Sequence, residues 1–331
     1  MIFGLGCAIA DRAVVPAKPP DLPYLTDPGH PAPLDPTAKR TRSTSTHAIR
    51  MTELRTTLGR ASIRLDTRGS EPVLRTSACS TASTVEPGGC ARCVLTTGAD
   101  FDGVDPAVIE AITIAFARYP TSLLIRTGIE HVTLCEHIVF DDKEHARAAG
   151  MADLEAHRLL INLHSFLERS YDPLDSFTME DIVHHELFHL LDWELAPDGF
   201  VDDPEWGAVN PTGFRYGPNK ATDPVLPGFV NSYAATNAVE DRATVFQYLM
   251  ARPSELCTMA RSDRILAEKT QLVWRRIERS TGIEFLRERA TCVTWINDTV
   301  GKPGLLRWSP GKVRWGGSSQ QESWVKRPVL E

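Results

Sequence analysis

Val183, Leu187, Leu190 and Leu191 recur at helical spacing, which predicts one helix from Thr178 to Trp193 with an apolar stripe turned inward. Thr178 stands at the N-cap with Asp181 three residues on, an acidic form of the capping box, and neither Gly nor Pro follows until Pro197. Upstream, Asp105-Pro106 opens a helix whose Val108, Ile109, Ile112, Ile114 and Phe116 run to Tyr119-Pro120. Leu123, Leu124 and Ile125 then lead to a turn at Gly128. Val132, Leu134, Ile138 and Phe140 alternate with one break, a strand with a kink over 130–140. A polar loop follows, then a second strand over 158–163. The stretch from Pro197 to Gly228 is long for a loop, and its Trp206, Phe214 and Tyr216 favour an ordered lid or cleft wall. Asn237 caps a further helix, and another covers 264–279.

Outside this core the pattern thins. Residues 11–50 are rich in Pro, Thr, Ser and Arg and read as disordered, and 51–94 offers only strand-like scraps around Ile63 and Val73. The expected division is therefore a loosely structured leader over 1–94, a domain over 95–300, and a basic low-complexity tail over 301–331 in which Trp308, Trp315 and Trp324 dock on the surface. The first eleven residues form a short apolar run ending in small residues. It reads as the end of a secretory signal, as a lipoprotein-like start at Cys7, or as a plain apolar terminus. A secreted or cell-envelope location is the expectation, with the cytoplasm as alternative.

A formal net charge of −7, with basic ends and an acidic middle, argues against a nucleic-acid partner. No apolar run approaches the roughly 20 residues needed to cross a bilayer, so no transmembrane span is expected, and a monomer is. Seven cysteines are too sparse for a disulfide scaffold. In an exported protein some of Cys79, Cys90, Cys93 and Cys135 would be paired, in a connectivity the sequence leaves open.

The chemistry is concentrated in the Thr178–Trp193 helix. His185-Glu186-Leu187-Phe188-His189 is an H-E-x-x-H run, in which the two histidines one turn apart can converge on one Zn²⁺. Glu186 lies beside them, suited to act as a general base and then acid. A catalytic zinc takes a third protein ligand and keeps an open position. The extended H-E-x-x-H-x-x-G-x-x-H pattern is excluded, because positions 192 and 195 hold Asp192 and Leu195. Glu240, heading the acidic pair Glu240-Asp241 at the start of the second helix, is the best third ligand. Alternatively it closes a capping box with Asn237. Asp192 and Asp241 are the runners-up, better suited to orient imidazole N–H groups. His131 and His137 on the kinked strand are weaker candidates still.

A zinc helix followed by a glutamate on a second helix resembles the gluzincin group of metallopeptidases. Tyr233-Ala234, Asn237 and Glu240-Asp241 are similar to the pattern of the lethal-factor-like and related zinc-binding metallopeptidase families. The resemblance covers roughly residues 105–280 and implies an α+β zincin-like fold: an active-site helix, a small preceding sheet and a second ligand-bearing helix. It implies a zinc peptidase acting on a peptide or protein, probed by His185, His189 and Glu240 as ligands and Glu186 as base. Tyr233, seven residues before the ligand glutamate, would donate to the oxyanion. In such enzymes the strand before the helix often pairs with an extended substrate, a role that falls here to 158–163 unless that strand is internal. Thr244 departs from relatives that carry a second acid one turn after the glutamate. Two other functions stay open: a non-catalytic binding module stapled by zinc, and a zinc hydrolase of non-peptide amides.

Overall fold

A computed structural model describes residues 5–9, 36–67, 73–75, 91–94, 104–140, 143–164, 178–195, 200–217 and 225–281. Among these residues the chain is a mixed helix-and-sheet protein. Eight strands form one sheet: β1 (Leu5–Ile9), β2 (Arg64–Asp66), β3 (Val73–Arg75), β4 (Ala91–Val94), β5 (His131–Cys135), β6 (His137–Phe140), β7 (Lys143–Asp153) and β8 (Arg158–Asn162). The helices are α1 (Pro36–Gly59), α2 (Pro106–Ala117), α3 (Thr121–Arg126), α4 (Met179–Leu195), α5 (Pro204–Val209), α6 (Ala238–Ala251), α7 (Pro253–Ser262) and α8 (Arg264–Thr281).

The sheet order is β2-β5-β8-β7-β6-β4-β3, with β1 joined to β7 off this path. β2, β5 and β8 are parallel, whereas β7 runs antiparallel to β8, β6 and β1. β5 and β6 are the kinked strand expected from the sequence, broken only at Glu136. Ala148 pairs with both Ile138 and Ala8, and Met151 with both Leu160 and Gly6. One edge of β7 is therefore taken by β8 and then β6, and the other by β1.

Several expectations are corrected. The described segments of the leader are not separate from the domain: α1 packs Met51, Leu54 and Leu58 into the main core, β2 adds a parallel strand to β5, and β4 pairs with β6. The polar loop before 150 is most of strand β7. Its Lys, Glu, Ala and Arg residues have low strand propensity, and the pairing on both of its edges outweighs that preference. Residues 121–126 form a helix rather than a run into a turn, although Gly128 does turn the chain, at φ 67°. The strand over 158–163 is internal, hydrogen-bonded to β5 on one side and β7 on the other, so it has no edge to offer a substrate. The tail with its three tryptophans lies outside the described residues.

α4 occupies the centre. It packs on the sheet through β7 and β8, on α2 and on α6, and almost every side chain from Met179 to Asp192 is buried. Its predicted cap is present: Asp181 N–H donates to Thr178 Oγ1 at 3.2 Å, and Thr178 N–H donates back to Asp181 Oδ2 at 2.6 Å. A helix buried on all sides must find a partner for each polar side chain it carries, and those partners define the site.

Candidate metal centre

α4 and α6 lie antiparallel and are stapled at both ends. At one end Asp181 receives Arg252 at 2.5 Å, and Arg118 reaches both Glu180 (2.6 Å) and the Met250 carbonyl (2.9 Å). At the other, Arg242 Nε donates to Asp192 Oδ2 at 2.7 Å. Between the staples, His185 and His189 leave one face of α4 and meet Glu240 from the first turn of α6.

Glu240 Oε2 lies 2.8 Å from His185 Nε2 and 3.6 Å from His189 Nε2. Ligand atoms of the three residues all fall within 4.8 Å of one another, and all three side chains are buried. Asn237 Oδ1 accepts from the Val239 and Glu240 backbone N–H groups, at 3.0 and 2.9 Å, so the helix is capped by Asn237. The Glu240 carboxylate is turned to the imidazoles, as expected for a ligand. Its place in the first turn also sets a negative charge at the favourable end of the helix dipole.

The donor set fits a metal ion. Two imidazole nitrogens and one carboxylate oxygen are the ligand types of a three-residue zinc site with one position left over. Burial pushes the Glu240 carboxyl up, but the two imidazoles outweigh it and hold it below the ordinary carboxylate range. Burial holds His189 down against the pull of Glu240. An ionised carboxylate and a neutral imidazole are the forms that ligate.

The partner that fixes His185 was not anticipated. Its Nδ1 faces Gln247 Oε1 at 3.1 Å. Gln247 follows Glu240 by seven residues, two helical turns, so both side chains lie on one face of α6. That spacing was the available signal. The two aspartates proposed for such duty serve elsewhere. Asp192 receives Arg242, and Asp241 receives Trp206 Nε1 (2.9 Å), Tyr216 OH (2.7 Å) and Lys269 Nζ (2.6 Å). Thr244 donates its hydroxyl to the Glu240 carbonyl at 2.7 Å.

Glu186 is fully buried beside His185, against the backbone of β7 at Gly150. Tyr233, in a single 3-10 turn over Tyr233–Ala235, sets its ring 6.2 Å from that of His185. His184 points the other way, into the core, where its Nδ1 lies 2.5 Å from Tyr119 OH. His131 bonds Asp66 at 2.7 Å and the His137 ring lies tilted against that of His164 at 5.4 Å, and neither belongs to the ligand cluster.

Among the described residues after α4, 200–217 carry α5. Asp203 caps α5 by accepting from Trp206 N–H at 3.0 Å and forks onto Arg276 at 2.5 and 3.1 Å. Arg242 also donates to the Phe200 carbonyl. Trp206 is fully buried; Phe214 meets Tyr216 edge-on and lies tilted against Phe229, and Lys269 Nζ sits over the rings of Trp206 and Phe229. Cys93 and Cys135 form a disulfide, and Cys257 is disulfide-bonded as well.

No family model and no curated protein matches the chain. Among solved structures, a similar chain is a Bacteroides caccae protein named a "putative zinc-binding metallo-peptidase", at 12% identity and a TM-score of 0.41, covering 78% of this chain and 95% of that one.

Proposed function

We propose that the protein is a zinc-dependent peptidase of zincin-like fold and gluzincin ligand set, with His185, His189 and Glu240 holding the metal. The observation that carries this is the convergence of three buried ligand side chains from two helices, with the buried Glu186 directly following His185 in the chain. When bound, zinc polarises a water and a carbonyl. Glu186 takes the proton of the attacking water and passes it to the leaving nitrogen. Tyr233 donates a hydrogen bond to the developing oxyanion, supported by the nearness of its ring to that of His185. The substrate is a peptide or protein and the acting unit a monomer. The disulfides support an exported protein.

One observation also suits a second reading. His185, His189, Glu240 and Glu186 are all buried, as in a metal staple that joins two helices without catalysis. Such a staple would use a fourth protein ligand, and it has no use for a carboxylate placed like Glu186. Zinc content and cleavage of casein-like and peptide-library substrates, on wild type, Glu186→Ala and Glu240→Ala, test the choice. One zinc per chain, with cleavage lost in Glu186→Ala while zinc stays, supports the peptidase. Zinc without peptide cleavage by the wild type turns the choice to the staple or to a hydrolase of other amides. Full zinc retention in Glu240→Ala removes the third ligand, and no zinc in the wild type removes the proposal.

A further inference from the structure

Strand β7 touches the proposed base through a glycine. A Cβ built on Gly150 would lie 2.6 Å from Glu186 Cγ, 2.8 Å from Ile182 Cγ2 and 3.0 Å from Glu186 Oε1. All three are shorter than the ordinary contact of 3.4–4 Å. Gly150 does not stand among the glycines with positive φ, so its backbone demands no glycine, and what demands one is space. A glycine inside a strand weakens it, and the usual reason for one is close approach by another group. β7 also bulges here: Ala148 to Met151 spans the stretch that Gly6 to Ala8 covers on β1, one residue fewer. The bulge and the missing side chain together let the strand backbone lie against the Glu186 side chain.

We propose that Gly150 is a positioning residue for Glu186: the bare strand backbone at this point is the wall that sets where the Glu186 carboxylate stands relative to His185, His189 and Glu240. This rests on the role of Glu186 given under the proposed function. Adding one methyl group at 150 forces the Glu186 side chain to withdraw by about 1 Å to restore ordinary contact. A displacement of that size in a catalytic group lowers turnover by up to about a hundredfold. None of His185, His189 and Glu240 supplies one of the three atoms nearest to a Cβ at Gly150, so metal binding is spared.

The test is Gly150→Ala in the full chain, alone and combined with Glu186→Ala. The single variant is expected to keep one zinc per chain and to cleave peptide with kcat lowered about 10- to 100-fold and KM within about twofold of wild type. In the stability cycle, Gly150→Ala lowers Tm in the wild-type background and does so much less when Glu186→Ala has removed two of the three close contacts. If Gly150→Ala alone does not fold, folding of the double variant supports the proposal, and failure of both overturns it by placing the clash on Ile182. A kcat within twofold of wild type overturns it, as does an equal Tm loss in both backgrounds. Should the wild type cleave no peptide at all, the stability cycle alone decides whether Gly150 sets the place of Glu186, so the two failures remain distinct.

Discussion

Gln247→Leu is expected to weaken zinc binding tenfold to a hundredfold while leaving the fold intact. His185 and Gln247 are each only 2% exposed, and water does not replace a lost partner between them. For His185 to present the Nε2 lone pair beside Glu240, its proton must sit on Nδ1, and the group facing Nδ1 at 3.1 Å is the Gln247 carbonyl oxygen. Leucine keeps the volume and removes the acceptor. A buried N–H deprived of its acceptor costs about 1–3 kcal/mol. Because the donor form is the metal-binding form, that cost falls on the bound state, and 1.4 kcal/mol corresponds to a factor of ten in Kd. The Gln247 amide nitrogen has no hydrogen-bond partner among the described residues, so Gln247→Glu gives up nothing at that atom and is expected to bind zinc at least as tightly as Gln247→Leu. Competition against a chromophoric chelator at fixed pH reads all three constants. A Gln247→Leu constant within twofold of wild type would refute the assignment of Gln247 as the holder of His185.

Three further outcomes concern the frame. Lys269→Met leaves Asp241 buried without its cation, and urea titration should show a loss of about 3–5 kcal/mol, partly recovered by adding Asp241→Asn; equal stabilities for the two variants would contradict this. Burial would raise the Asp203 carboxyl, but Arg276, the Trp206 N–H and Arg242 together hold it below its ordinary 3.8. A depressed carboxylate stabilises the fold above its unfolded value and loses that stabilisation as pH falls through the folded one. The stability gap between wild type and Asp203→Asn should therefore be present at pH 7 and shrink below about pH 4, and a gap independent of pH would count against the clamp. Cys93→Ser opens a link across 42 residues and should cost about 4 kcal/mol by chain entropy, read from denaturant melts under non-reducing conditions.

The helices that carry the site were legible because their signals are local. Thr178 with Asp181, Asp105 with Pro106, and Asn237 each announce a helix start within four residues, and each cap is present. The candidate ligands His185 and His189 follow from one-turn spacing, and Glu240 from its place in an acidic pair at the start of a capped helix. The sheet was harder to read because its strands exist through their neighbours. β7 has a loop-like composition and is held by three strands, and β2 has three residues that mean nothing until β5 lies beside them. The partners of Asp192 and Asp241 were misjudged for a similar reason. An aspartate near an imidazole in sequence suggests a bond to that imidazole, but arginine and lysine, arriving from α6 and α8, are the stronger partners.

Those misjudged partners explain how the ligands stay in register. Glu240, Asp241 and Arg242 are consecutive, so their side chains leave α6 about 100° apart and address three different neighbours. Glu240 goes to the imidazoles, Asp241 to Lys269, Trp206 and Tyr216, and Arg242 to Asp192 on α4. Asp192 stands three residues after His189, on the same face of α4. The ion pair therefore joins the two helices less than one turn beyond the candidate metal-binding atoms, and any slide of α6 along α4 must break it. Arg252 with Asp181 opposes the same slide from the far end. Buried ion pairs add little net stability against well-packed apolar replacements, but they tolerate few geometries, and here the geometry they enforce is the separation of Glu240 from His185 and His189. The expected consequence is that Arg242→Met paired with Asp192→Leu retains a folded chain yet binds zinc more weakly than wild type. Unchanged zinc affinity in that double variant would show that the ligands hold their own register without the pair.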